Sequence, residues 1–118
     1  MRDNQIIITG HVGQDPELRV GKSGTAWCTL SVATQRRRRA EGGDFEEHTD
    51  WHDVRLFGDL AQWCGKEVTK GAKLEVEGTL AYDLWTDDDG NRRRAARILA
   101  SQVRLATASP GAARVALE

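Results

Sequence analysis

One stretch, His48 to Gly58 (HTDWHDVRLFG), narrows what this chain can fold into more than any other. Side chains of a β-strand alternate between two faces, so the stretch puts His52, Val54 and Leu56 on one side and Trp51, Asp53, Arg55 and Phe57 on the other. A buried face rarely holds an aspartate and an arginine. The first side is therefore the core side, and the second stands in solvent carrying two large rings. Flat rings beside an arginine suit nucleobases. They equally suit cover by another part of the chain or by a second subunit, and this strand alone leaves the two open.

The flanking segments say what surrounds that strand. Gln5 to Val12 reads as a first strand with Ile6, Ile8 and Val12 on one face and Ile7, Thr9 and His11 on the other. Turn chemistry at Gly13–Pro16 and Lys22–Gly24 precedes a second strand, Thr25 to Gln35, in which Leu30 and Val32 share the core face. Trp27 and Cys28 at its start are assigned to packing. Arg36 to Asp44, RRRRAEGGD, is expected to be a mobile basic hairpin loop that flanks the aromatic face.

Beyond Gly58 the apolar period changes. Leu60, Trp63, Cys64 and Val68 recur at helical spacing, so a short amphipathic helix is predicted over Asp59 to Thr69, with Trp63 in the core. Lys73 to Trp85 alternates again, with Leu74, Val76, Leu80, Tyr82 and Leu84 inward and Glu75, Glu77, Thr79, Asp83 and Trp85 outward. Asp87 to Asn91 (DDDGN) is a hairpin turn rather than a magnesium site, and the return strand runs from Arg92 to about Leu105. Residues 107–118 are small and unpatterned, and a short disordered segment is expected there.

These elements predict an all-β protein. Residues 1–106 should form an OB-fold, a five-stranded Greek-key barrel with one short helix between its third and fourth strands and a long terminal hairpin. A chain of 118 residues supports one domain with its own core. The formal charge of −1 and pI near 6.3 do not announce a nucleic-acid binder, but the average hides local patches. Arginine supplies 13 of the 17 basic residues, and seven of those lie in the runs Arg36–Arg39 and Arg92–Arg94. Cys28 and Cys64 have no metal or redox spacing and read as free buried thiols. His48 and His52, four apart on a strand, lie roughly 13 Å from one another, too far to share a metal. No cofactor is implied. No nucleotide-binding loop, metal-binding helix, nucleophile elbow or carboxylate cluster gives an enzyme reading anything to rest on. Without a signal peptide, apolar membrane-length run or lipidation motif, a cytoplasmic, nucleoid-associated protein with no membrane partner is expected.

Several blocks then stand together in order: GHVGQDPELR (Gly10 to Arg19), SVAT (Ser31 to Thr34), TDWHDVRLFGDLA (Thr49 to Ala61), KGAKLEVEG (Lys70 to Gly78) and LWTDDDGN (Leu84 to Asn91). From about Asn4 to Leu105 the chain resembles the bacterial single-stranded DNA-binding proteins. The resemblance implies sequence-tolerant binding of single-stranded DNA in replication, recombination and repair, by a homotetramer that stacks bases on aromatic rings. It puts Trp51, Phe57 and Trp85 on the family's stacking positions. Arg36, Arg37, Arg38, Arg39, Arg55, Arg92 and Arg94 are the arginines expected to meet phosphates, while Ile7 and His52 are expected at the subunit interface, with a dimer left open. Arg38 stands where many members carry a further stacking aromatic, and its guanidinium can also lie on a base. Asp59 stands where a basic residue is common. The family usually ends in a long linker and an acidic tip that recruits replication and repair proteins; this chain stops at Val115-Ala116-Leu117-Glu118, so such recruitment is not expected of it. The competing class is an OB-fold primosomal or adaptor protein working mainly through protein contacts.

Overall fold

The protein is described from a computed structural model, which covers residues 3–106 together with Arg114 and Val115. In chain order the elements are β1 (Ile6–Val12), β2 (Arg19–Val20), β3 (Ala26–Arg39), β4 (Phe45–Phe57), α1 (Asp59–Glu67), β5 (Lys73–Thr86), β6 (Arg92–Ala106) and β7 (Arg114–Val115). The strand order is β1-β5-β6-β4-β3-β2, and a further pairing of β1 with β3, His11 opposite Ala33 and Val12 opposite Val32, closes the five long strands on themselves. β4 and β6 run parallel where Val54 meets Ile98, and the other long pairings are antiparallel. This is the expected OB barrel, with the helix between the third and fourth long strands.

Alternation builds its core. Leu30 and Val32 of β3, Val54 and Leu56 of β4 and Leu74 and Val76 of β5 all point inward and are fully buried, with Ile98 and Val103 completing the filling from β6. α1 covers one end through Ala61 and Cys64, and Leu60 and Trp63 pack partly against the same cluster. Burial pushes the Cys64 thiol up to about 12, and the neighbouring Cys28 thiol adds to the rise. The helix stops two residues short of the expected boundary because Val68 is already extended.

Two segments differ from the sequence-based expectation for one reason: a strand does not have to end where the barrel ends. The arginine run is not a mobile loop. β3 continues through Arg39 and pairs without interruption with β4, from Trp27 opposite Phe57 to Arg39 opposite Phe45. Only Ala40 to Asp44 turns, around Gly42 and Gly43 at φ 91°. Tyr82 and Leu84 are not inward either. β5 past Leu80 pairs only with β6 and leaves the barrel as a two-stranded ribbon, so the inner face there has nothing beneath it and Leu84 is 77% exposed. The short β2, paired with β3 through Arg19 and Val20, carries no alternation long enough to be read in advance. Of the tail expected to be disordered, only the two-residue pairing of β7 with Leu105 and Ala106 is described; the rest lies outside the described residues. Among the described residues no helix is long and apolar enough to cross a membrane.

Closure depends on close backbone approach. A Cβ at Gly10 would overlap the Ala33 carbonyl where β1 crosses to β3. Gly10→Ala should therefore lower stability by at least about 1–3 kcal/mol, the range for overpacking, as read from the midpoint of urea unfolding followed by circular dichroism. Both thiols should resist alkylation at pH 8 in the folded protein and react once it is unfolded, counted by mass spectrometry.

Candidate nucleic-acid interface

The outer face of the barrel is assembled by parity. On β4 the exposed alternation carries Phe45, Trp51 and Phe57, each six residues from the next and so about 20 Å apart. Trp51 is 59% and Phe57 51% exposed, far more than an internal packing role requires. Across β3 these rings face Arg39, Ala33 and Trp27 respectively. Trp85 of β5 is 48% exposed and sits opposite Arg93 of β6. The three rings expected from the sequence thus point to the outer face of the sheet, and the other described residues leave each about half exposed.

Phe45 and Trp27 join them, and neither was expected there. The Arg37 and Arg39 guanidinium carbons lie 4.8 and 5.2 Å from the Phe45 ring centre, and that of Arg19 lies 5.7 Å from the Trp27 ring. Trp27 is half-buried rather than in the core. With Trp51, Ser31, Arg55, Asp15 and Glu17 it lines an open groove of about 680 Å³. Both rings could have been found by counting pairs back from the β3–β4 turn, had the arginine run been taken as strand.

The arginines divide between two faces. Arg37, Arg39 and Arg55 lie on the ring-bearing face, as expected. Arg36 and Arg38 lie on the other, where Arg36 Nε donates to Asp50 Oδ2 (2.6 Å) and Arg38 Nη2 is 3.5 Å from Glu46 Oε1. Arg38 was expected beside the rings and strand alternation turns it away; Phe45 is the aromatic that occupies the ring-bearing face at that end of the ribbon. Arg92 and Arg94 likewise pair with Thr86 and Leu84 on the face opposite Trp85, and Arg94 lies over the Tyr82 ring at 5.0 Å. In their place the face of Trp85 receives Arg93 and Arg97. Once the DDDGN turn sets Thr86 against Arg92, the partner of Trp85 is fixed as Arg93.

Between the rings lies a network of charge. Arg97 is gripped by both Asp53 of β4 and Asp83 of β5, and Arg55 Nη2 is 3.4 Å from the same Asp83 carboxylate. The hydrogen bond to Asp83, with Asp53 adding to it, holds the Arg97 guanidinium above its ordinary value. Asp53 Oδ1 and Arg55 Nε are buried there without hydrogen-bond partners among the described residues. At the tip of the β5–β6 ribbon Asp87 accepts from Arg93 Nε and from the backbone N–H groups of Asp89 and Asn91, which makes DDDGN a turn in fact.

Of the two residues expected at a subunit interface, Ile7 lies on β1, and His52 lines the same open groove as Trp51 and Trp27. Ile7 is 56% exposed on β1, which pairs with β5 along Ile6 to His11 and reaches β3 only at His11 and Val12. His52 follows the inward parity but sits half-buried, with its Nε2 2.8 Å from Thr34 Oγ1.

Residues 3–106 match the Single-strand binding protein family. Among curated relatives, the chain is 33% identical to a single-stranded DNA-binding protein of Xylella fastidiosa (strain Temecula1) over 86% of its length, and 38% identical to the single-stranded DNA-binding protein 1 of Xylella fastidiosa (strain 9a5c) over 86%. It spans 62% and 76% of those two proteins. Among solved structures, a Plasmodium falciparum SSB in complex with ssDNA superposes with a TM-score of 0.82 at 22% identity, covering 91% of this chain and 97% of that one. A deletion mutant of the single-stranded DNA binding protein from Thermus aquaticus superposes at 0.78 with 30% identity, covering 89% and 51%.

Two features of the face can be checked without any ligand. A Cβ at Gly13 would run into the Trp51 ring, so Gly13→Ala should displace that ring and move its Nε1–H resonance while leaving the other indole signals in place. The hydrogen bond from Arg36 holds Asp50 below the usual carboxylate range, and the bond from Arg93 does the same for Asp87. Each ion pair is therefore intact above the ordinary carboxylate pKa and is lost as pH falls through the lowered one. In a carboxyl NMR titration, Arg36→Ala should raise the midpoint of Asp50 alone and Arg93→Ala that of Asp87 alone.

Proposed function

Because the chain belongs to the single-strand binding protein family, we propose that it binds and protects single-stranded DNA without sequence preference, in replication, recombination and repair, and does so by binding rather than by catalysis. The observation that carries this is one solvent-facing sheet surface bearing Trp51, Phe57 and Trp85, each about half exposed, with arginines interleaved among them. Every base offers a ring face, so stacking tolerates any sequence, while arginine meets the phosphates that all strands share. Phe45 and Trp27 extend the row. Arg37, Arg39, Arg55 and Arg93 flank it directly, and Arg36, Arg38, Arg92 and Arg94 serve a strand that wraps over the ribbon edges.

The protein acts as a homotetramer in this reading. The β1 strand, with Ile7 exposed and most of one side unpaired by β3, invites edge or face association, and His52 with Thr34 marks a second contact region. Its working place is the nucleoid in the cytoplasm. Light scattering should return four copies per particle; a monomer at micromolar concentration would remove the assembly part of the proposal.

Tryptophan fluorescence during titration with single-stranded and duplex DNA across salt concentrations tests the binding itself. Single strands should quench the rings and duplex should not. Trp51→Ala, Phe57→Ala or Trp85→Ala should each cost about 1–3 kcal/mol per stacked base with little change in salt dependence. Replacing Arg37 and Arg39 should instead flatten the dependence of log affinity on log salt by roughly 0.7 for each phosphate no longer neutralised, leaving quenching at saturation largely intact. Equal affinity for duplex, or no quenching by a pyrimidine strand, would leave an OB-fold adaptor as the better description.

A further inference from the structure

We propose that Asp53 and Asp83 are built-in stand-ins for phosphate, holding Arg97 and Arg55 in a neutral network that a DNA strand must open by exchange. The proposal rests on the single-strand binding reading above and adds a layer to it. Its basis is position. Asp53 and Arg55 lie on β4 between Trp51 and Phe57, and Asp83 lies two residues before Trp85 on the same face of β5. Any strand that stacks on all three rings crosses this network. Two carboxylates there repel the phosphates that pass over them, unless those phosphates take the carboxylates' place on the guanidinium groups.

The network is arranged so that exchange is feasible. Arg97 bonds both carboxylates, so release from one leaves it held by the other. Arg55 reaches Asp83 only through Nη2 at 3.4 Å, and its Nε is buried without a partner among the described residues. Asp53 likewise keeps one oxygen unsatisfied. A half-satisfied polar cluster is poorly held in its closed form, and a phosphate presents several oxygens to a guanidinium fork. The sum of two acids and two bases is zero, so the centre of the face attracts few counterions before DNA arrives. Grip on the strand then comes first from the rings and the outlying arginines, with Arg97 and Arg55 engaged only once a strand is seated. The carboxylates thereby lower affinity and keep the centre of the face from holding stray anions.

The test is the paired variant Asp53→Asn/Asp83→Asn, titrated with an oligothymidylate beside the unaltered protein from roughly 50 to 200 mM salt. Exchange predicts tighter binding at low salt and a salt slope steeper by about 1.4, two phosphates at roughly 0.7 each. The advantage of the variant should accordingly shrink about sevenfold across that range. Adding Arg97→Ala to the paired variant should remove at least half of the gain in slope, whereas simple loss of negative charge would leave the gain in place. The unaltered protein gives a second readout that needs no variant to fold: the Arg97 Nε–H resonance should move as the oligonucleotide is added. Binding by the unaltered protein with no change in slope in the paired variant, or a motionless Arg97 signal at saturation, overturns the exchange network alone. No binding by the unaltered protein overturns the single-strand reading as well.

Discussion

Everything about this surface depends on the unbroken register between β3 and β4. From Trp27 opposite Phe57 to Arg39 opposite Phe45 no residue is inserted or skipped, so parity carries from the barrel to the tip of the ribbon. A slip of one residue would move Val54 and Leu56 into solvent and drive Asp53 and Arg55 into the core. Burial of the apolar set therefore specifies the register, and the register in turn aims Trp51, Phe57 and Phe45 in one direction. The same constraint operates on β5 and β6, where the extra residue Ser101 falls at the barrel, between Glu77 and Gly78 on the partner strand, and leaves the ribbon beyond it in plain alternation.

Within the barrel the sequence was legible because burial and alternation agree. Val54, Leu56, Leu74 and Val76 announce their faces, and with them the faces of Trp51, Phe57 and Trp85. Legibility failed where the strands outrun the core. Tyr82 and Leu84 keep the inward parity that apolar residues suggest, yet there is no barrel under them. Four consecutive arginines and a glycine pair look like a loop, because nothing apolar marks a face along them. Only the pairing with Phe45, Glu46, Glu47 and His48 makes them strand. The misplacement of Arg38 and the oversight of Phe45 share that origin, since both depend on counting from a turn whose edges the sequence does not print. Arg93 and Arg97 are different: the DDDGN turn has the edges its residues suggest, and counting from Thr86 opposite Arg92 puts both on the face of Trp85.

Charge on this face is local rather than global. The chain is slightly acidic overall, but most of the described guanidinium groups are stacked over rings, as at Phe45, Trp27 and Tyr82, or paired with carboxylates, as at Asp50, Asp83 and Asp87. Planar guanidinium suits both arrangements, which accounts for the dominance of arginine over lysine. Exposed pairs of this kind add little to folding stability. Their effect is on how much positive potential the face offers before a partner approaches.

The two ribbons differ from the barrel in what can hold them. A two-stranded arm without a covering layer is marginal by itself, so residues 36–48 and 84–94 keep their hydrogen bonds chiefly through continuity with the barrel strands. Amide protons should then exchange with solvent from the arm tips inward, at opening free energies far below that of the barrel. Either arm can thus open and close again by local fraying, while the core that sets its direction stays folded throughout.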